Sequence, residues 1–297
     1  MENAILVLLP NKPFLGNQIT QIPFFEEIKG NKKIITVGTK KSYFVIKNLG
    51  YIDLAFEYRK KSFLDLFKII KKIKKDYNVT EVYNFRYRSI RISFILALFF
   101  RNITGYLNKR KNPLSIFYKK KKIFNKKEYI AHNYLKLCDG KLEEYYLENV
   151  RRKKSISIIP GGSNDFKKYP LSKYLKVVRE FENDYEINFI LGNDMLKEQE
   201  ELKPYKEKYN LVIGEKLDKL RMLLQETSLV ISNDCGPSHF AHIYNTPRIS
   251  LFAGNTNPRE WFNKTDKSIL LESSNRDNID SIREEDIIIS ARKILNR

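Results

Sequence analysis

A chain of 297 residues, 42% hydrophobic and 30% charged, has the composition of a folded globular protein and the length for two domains, each with its own core. Its two cysteines, Cys138 and Cys235, are too few for a secreted disulfide scaffold and fit a reducing cytosol. The net charge of +20 is lopsided: residues 1–150 carry 30 Lys and Arg against 13 Asp and Glu (+17), and residues 151–297 carry 25 against 22 (+3).

The opening segment MENAILVLLP lacks the basic n-region of a signal peptide and runs straight into a strand-like stretch. In the first half, apolar runs at Ile5–Leu9, Ile34–Val37, Leu54–Tyr58 and Val79–Asn84 read as strands, with helical stretches between them. The spacing of Leu66, Phe67, Ile69, Ile70 and Ile73 predicts one apolar face on a helix over Leu64–Lys75. The stretch Arg86 to Arg101 mixes basic and strongly apolar residues. It reads either as a core helix on the first sheet or as a contact with a membrane surface. Its apolar run, Ile92 to Phe100, is well short of the roughly 20 residues that span a bilayer.

The rhythm restarts in the second half. Strands are expected at Ser155–Ile159, Ile187–Leu191, Leu211–Ile213, Leu229–Ser232 and Arg248–Phe252. Helices are expected at Leu171–Glu182, at Leu217–Glu226 and from near Pro237, with a last one over Ile282–Leu295. The fold class is therefore α/β, with two Rossmann-like, doubly wound domains. The expected division is 1–152, 153–280 and a C-terminal helix at 281–297 crossing back to the first domain, with the charged segment NVRRKK (149–154) as the junction.

Three loops fall at the carboxyl ends of second-half strands, where open α/β sheets bind ligands. Asn233, Asp234, Cys235 and Gly236 form a tight turn before Pro237, at the expected start of a helix whose free N–H groups favour an anion. Ala253 to Pro258 follows the next strand, and IPGGSNDFKKYP (159–170) follows the first. Lys167 or Lys168 could reach phosphate oxygens as a point charge. Two readings stand side by side: a diphosphate cradle, or ordinary turns that use Gly, Asn and Pro for backbone geometry.

The segment SNDCGPSHFAHIYNTPRISLFAGNTNP resembles the signature of glycosyltransferase family nine, the heptosyltransferases, with its Asp-(Thr/Ser)-Gly-x-x-His loop, Thr-Pro strand and Gly-Pro-Thr-x-Pro-like loop. IPGGSNDFKKYP is similar to that family's Pro-Gly-Ala … Lys-Arg-Trp-Pro segment, with Tyr169 where Trp is usual. LGNQITQIPFFEEIK, VYNFRYRSIRISFILALFFRNITGY and EYIAHNYLKL, which holds His132, resemble its first-domain motifs more loosely. The resemblance implies a GT-B type fold, two Rossmann-like domains facing a cleft, and inverting transfer of a heptose-like sugar from a nucleotide-diphosphate sugar. The implied acceptor is a lipopolysaccharide-type or related surface glycan, lipid-linked and phosphorylated, held by the basic first domain.

Carried over to this sequence, Asp234, Cys235, Gly236 and His239 would line the donor diphosphate and sugar, with Ser163 along the same edge. Lys167 would neutralise the leaving diphosphate, and Thr256 would close its loop around the phosphates. Asn17 departs from the pattern. It stands where the family has the aspartate expected to act as base, and an amide has no useful basicity near neutral pH. Asp234, His239 or Glu26 would have to stand in, or transfer would run on leaving-group stabilisation and positioning alone. The alternative is a catalytically degraded relative that binds or scaffolds in envelope-glycan assembly. No cofactor is expected, and no metal: His239 and His242 lack a third ligand at supporting spacing, and no Asp-x-Asp pair is present.

Cys235 reads either as a reactive thiol at a helix N-terminus or as a small side chain beside phosphate. Asp194 and Glu198 are candidates for ribose contacts, and Trp261 for packing beneath the Gly254–Pro258 loop. The expected location is cytoplasmic, with a peripheral contact to the anionic inner face of the cytoplasmic membrane. Nucleic acid is not an expected partner: no recognised motif is present and the basic residues lack an interleaved aromatic platform.

Overall fold

The computed structural model describes residues 1–39, 41–59, 62–86, 88–148 and 150–296. Tyr87 in the mixed basic–apolar stretch, Asn149 in the expected junction and the terminal Arg297 lie outside the described residues. The chain divides into two compact units. The first is Met1–Lys126 with Ile130–Glu144; the second is Lys127–Tyr129 with the chain from Tyr145 onward. The division falls between Glu144 and Tyr145, ahead of the boundary expected after residue 152.

The first unit runs β1 (Asn3–Leu8), α1 (Leu15–Ile19), α2 (Ile22–Glu27), β2 (Lys33–Gly38), α3 (Phe44–Asn48), β3 (Leu54–Glu57), α4 (Phe63–Asp76), β4 (Asn78–Asn84), α5 (Ile90–Phe99), β5 (Ile103–Tyr106), β6 (Lys120–Lys122) and α6 (Ile130–Leu135). Its six strands are parallel, in the order β3-β2-β1-β4-β5-β6. β1 sits between β2 and β4, with Leu6 opposite Ile35 and Val82, and is buried from Ala4 to Leu8, as a central strand covered on both faces must be.

α4 starts at Ser62, whose hydroxyl accepts from the Asp65 N–H (3.1 Å), and it buries Leu66, Ile70 and Ile73. Phe67 and Ile69, expected on the same face, are only partly covered. α5 buries Ile92, Ser93, Ile95 and Leu96 on the sheet, so the core-helix reading of that stretch holds, yet the opposite face is also apolar. β6 carries no strand signal at all. Three lysines pair with β5 at the sheet edge because an edge needs only main-chain partners, and Lys122 and Lys120 meet the Asp139 carboxylate.

The second unit contains β7 (Lys153–Ile159), α7 (Leu171–Arg179), β8 (Glu186–Leu191), α8 (Leu196–Leu202), β9 (Asn210–Ile213), α9 (Leu217–Glu226), β10 (Thr227–Asn233), α10 (His239–Ile243), β11 (Arg248–Phe252), α11 (Pro258–Trp261), β12 (Ser268–Glu272) and α12 (Glu284–Leu295). Again all six strands are parallel, ordered β12-β11-β10-β7-β8-β9. Each unit therefore has the Rossmann strand order, with a topological switch between its first and fourth strands. The sequence places the last helix as a crossing back to the first half; α12 spends its buried face, Ile287, Ala291 and Ile294, on the second unit's own core.

Arg248 opens β11 and is wholly buried. Its guanidinium donates to the carbonyls of Ala241, Thr246 (3.0 Å) and Asn263 and to Asn245 Oδ1, and burial lowers its pKa to about 10. It pins the α10–β11 connection and the chain after α11. Arg248→Met leaves several buried carbonyls without donors and should lower stability by about 3 kcal/mol or more, read as a reduced midpoint in urea unfolding at unchanged slope.

Candidate functional site

At the switch point of the second sheet, the loops after β7 and β10 diverge at the carboxyl edge. Asn233, the last residue of β10, was expected in the turn but lies in the strand with a wholly buried side chain. Its Nδ2 donates to the Pro160 carbonyl (2.7 Å). Its Oδ1 accepts from the Tyr174 hydroxyl (2.7 Å) and the Tyr169 N–H (3.4 Å). One amide thus ties together the end of β7, the loop just before α7 and α7 itself.

That tie sets the position of Lys167, in the short 3₁₀ turn Asp165–Lys167 between β7 and α7. Its Nζ donates to Asp234 Oδ2 at 2.6 Å, and both side chains are mostly covered. Of the two lysines the sequence left open, the structure therefore brings Lys167 to the switch point. Lys168 turns to Asp165 (3.1 Å) and Glu198 (3.7 Å). Glu198, a ribose candidate, is occupied by that lysine, and Asp194 is exposed. Ser163 is exposed in the same loop, after Gly161 and Gly162.

The turn after Asn233 differs from expectation in one respect. α10 begins at His239, not Pro237, and spans five residues, so no extended helix dipole aims at the loop. The turn is held by its own bonds: the Ser238 hydroxyl donates to the Cys235 carbonyl (2.7 Å), and the Asp234 N–H to the Leu251 carbonyl (3.1 Å). Gly236, between them, is partly covered. Cys235 is buried, and burial pushes its thiol up to about 12, which keeps it neutral and speaks against the reactive reading.

His239 is buried and its ring stacks on Tyr129 (5.8 Å, 25°), with Trp261 near the other flank (5.7 Å). Trp261 thus packs beside His239, at the end of the α11 turn that follows the Gly254–Pro258 loop. The Tyr129 hydroxyl lies 3.0 Å from His239 Nδ1. Burial, with Lys167 and Arg248 adding to it and Asp234 opposing, lowers the His239 pKa to about 4, so the imidazole is neutral at physiological pH. His242 has both nitrogens in use: Nδ1 accepts from the Asn263 N–H (3.1 Å) and Nε2 lies 3.3 Å from the Ser250 hydroxyl. Among the described residues no group of three or more His, Cys, Asp or Glu is placed to hold a metal ion.

Thr256 donates through its hydroxyl to the Ala253 carbonyl (2.7 Å) and shapes the loop after β11. Gly254 beside it has no room for a side chain, since a Cβ would come within 2.9 Å of the Ser273 carbonyl oxygen. Asp234, Cys235, Gly236, Lys167, Ser163 and Thr256 therefore all belong to the three carboxyl-edge loops of one sheet, and His239 opens the helix that follows one of them. Asn233, Tyr174 and Tyr129 are the residues that sequence reasoning missed as supports. Tyr129 lies too far away in sequence for any motif to link it to His239.

Asn17 belongs to the first unit. It is 1% exposed on α1, its Nδ2 donates to the Tyr134 hydroxyl (2.9 Å), and its Oδ1 accepts from Gln21 Nε2 (3.2 Å). Glu26 on α2 accepts from the Tyr51 hydroxyl (2.5 Å). At this unit's own switch point, Arg86 follows β4 and donates through Nε to the Leu9 carbonyl (2.5 Å) after β1. Its guanidinium faces the Tyr58 ring (5.1 Å) and donates to that hydroxyl, and its described partners include no carboxylate.

Comparison with known proteins gives the family and the fold. The profile of glycosyltransferase family 9 (heptosyltransferase) matches residues 100–288, more than half of the chain. The chain is similar to lipopolysaccharide heptosyltransferase 1 of Campylobacter coli, 26% identical over 93% of this chain and 92% of that protein. Its fold is that of a glycosyl transferase family 9 protein from Veillonella parvula (TM-score 0.70, 20% identity, 99% and 97% of the two chains). An E. coli heptosyltransferase solved with ADP-2-deoxy-2-fluoro heptose has the same fold (TM-score 0.69, 13% identity, 99% and 100% covered).

The neutral state of His239 has a consequence for stability. Its folded pKa of about 4 lies below the roughly 6.5 of an unfolded histidine, so between these values the unfolded chain binds a proton that the folded one does not. Stability conferred by the neutral ring is full above pH 6.5 and falls as the pH drops toward 4, with His242, also lowered, adding to the loss. Urea unfolding from pH 7 to pH 4.5 should show this decline, and His239→Asn should make it shallower.

Proposed function

The chain belongs to glycosyltransferase family 9, the heptosyltransferases, and on that footing we propose that it transfers a heptose-like sugar, with inversion, from an adenosine-diphosphate sugar to a lipopolysaccharide-type surface glycan. The fold is the GT-B type, two Rossmann-like units. The reading rests on one observation above the others. A partly covered ammonium, Lys167, waits at the switch point of the second sheet, 2.6 Å from the Asp234 carboxylate and beside two further loops of the same edge.

When the acceptor oxygen attacks the anomeric carbon, the bond to the diphosphate breaks and negative charge grows on the leaving oxygens. An ammonium held in a poorly solvated place stabilises that charge most where it is needed. Asp234 orients Lys167 before the donor arrives and, once the diphosphate takes the ammonium, is left to accept from a sugar hydroxyl. Neutral His239, aligned by Tyr129, contributes a hydrogen bond without adding charge. Lys167 supplies the cation, so the reaction needs no metal. On the acceptor side, Arg86 and the surplus of lysine offer partners for the anionic groups of a phosphorylated acceptor.

The proton of the attacking hydroxyl needs an acceptor other than position 17. His239 is too weak a base at a pKa of about 4, which leaves two carboxylates to test: Asp234, once the diphosphate has taken Lys167, and Glu26. A second reading draws on the buried amide of Asn17, bonded to Tyr134 and Gln21: a degraded family member that binds its ligands and scaffolds envelope-glycan assembly.

Two experiments decide. Calorimetry should show ADP binding, weakened about 10- to 100-fold by Lys167→Ala, the worth of a charged hydrogen bond, and turnover of the ADP sugar should survive EDTA. No nucleotide binding at all would remove the donor site. Turnover by the parent that Glu26→Gln abolishes would set the scaffold aside; an inert parent that Asn17→Asp revives would establish it.

A further inference from the structure

α5 is apolar but for Arg91 and Ser93, and only part of its apolar surface is used by the fold. Ile92, Ile95 and Leu96 pack on the first sheet, while Ile90, Phe94 and Leu98, each one turn apart, are 49%, 46% and 55% exposed. That stripe extends about 12 Å along the helix at 1.5 Å per residue. It continues onto α4: Phe63 lies 6.5 Å from Phe94 and 6.2 Å from Phe67, and Phe67 lies 5.2 Å from Phe99, centroid to centroid. Leu64, beside Phe63, is exposed.

The surroundings of this ridge are basic. The solvent face of α4 carries Lys68, Lys71, Lys72 and Lys75, all exposed, and Arg88 and Arg91 are exposed at the start of α5. α5 itself has no acidic residue. Most of the large exposed apolar side chains among the described residues lie in the first unit, the unit that also holds almost all the surplus positive charge.

We propose that the α4–α5 face is a docking surface for an anionic lipid bilayer, with Phe94, Leu98, Ile90 and Leu64 entering the interface and the α4 lysines meeting the headgroups. An apolar ridge bordered by lysine and arginine has the chemistry of a helix pair lying in a membrane surface. Each lysine adds attraction to a negatively charged leaflet that salt screens. Charge chooses this occupant: a second copy of the chain would set the same lysines against one another. No helix among the described residues is long and apolar enough to cross a membrane, so contact is made along the surface. Both α4 and α5 begin at the carboxyl edge of the first sheet, which brings that edge close to the bilayer and to a lipid-linked acceptor within it. The surface itself does not depend on the transfer reading.

The test is co-sedimentation of the full chain with phosphatidylcholine vesicles, with and without phosphatidylglycerol, in low and high salt. The parent should bind only the anionic vesicles and release them as salt rises. Phe94→Gln combined with Leu98→Gln, and separately Lys68→Glu combined with Lys71→Glu, should each weaken binding about tenfold or more, with thermal unfolding and ADP binding unchanged. If the glutamine variant unfolds, the glutamate variant, which alters only exposed lysines, carries the test. Absence of vesicle binding by the parent overturns the proposal, as does binding by both variants that matches the parent. Self-association of the parent abolished in the glutamine variant would assign the face to a second copy instead. Because ADP binding is read separately, a failed donor site and a failed membrane surface give different results.

Discussion

The buried amide of Asn233 is the contact on which the second unit's carboxyl edge depends. A doubly wound sheet opens a crevice at its switch point because consecutive connections leave on opposite faces, and nothing in the sheet's own hydrogen bonding closes the loops over it. Asn233 does so by donating to the end of β7 and accepting from Tyr174 and Tyr169 on the far side of the loop. A carboxylate there could not donate to Pro160, and an apolar residue would leave buried polar groups unpaired. The loop so fixed delivers Lys167 to Asp234 and leaves Lys168 outside.

The site around that contact is organised to hold charge without solvent. Lys167 and Asp234 compensate each other in the free protein, while burial keeps His239 and the Cys235 thiol neutral. The edge thus presents one cation, Lys167, whose counter-charge Asp234 is already in place, and the imidazole near it adds no second positive charge. The first unit handles charge differently, with exposed lysines in excess and apolar side chains left in solvent.

Much of this was legible in the sequence. Alternation of buried strands and amphipathic helices gave both Rossmann-like units, since continuous apolar runs such as that of β1 leave few other folds. The loops 159–170, 233–236 and 253–258 were recognisable as carboxyl-edge loops from their Gly, Asn and Pro content, though Asn233 itself closes β10. The edge strand β6 was not, because three lysines carry no hydrophobic period and pair only through main chain. Nor was the start of α10 at His239: Pro237 suits a first helical turn, but the Ser238–Cys235 bond holds that segment as a turn. Tyr129 was out of reach of any local pattern, since only tertiary structure stacks it on His239. Of the two readings of α5, the core helix is what the structure shows; that Ile90, Phe94 and Leu98 stay exposed on its other face could not be read from a run of apolar residues with no period.

The central claim is that a nucleoside diphosphate takes the place of Asp234 as the partner of Lys167. A crystal structure with ADP bound tests it most directly. The account predicts phosphate oxygens within hydrogen-bond distance of Lys167 Nζ, the Lys167–Asp234 contact lengthened, and the bonds from Asn233 to Pro160 and Tyr174 intact. ADP bound at the second sheet with the Lys167–Asp234 contact unchanged, or bound elsewhere, would contradict it.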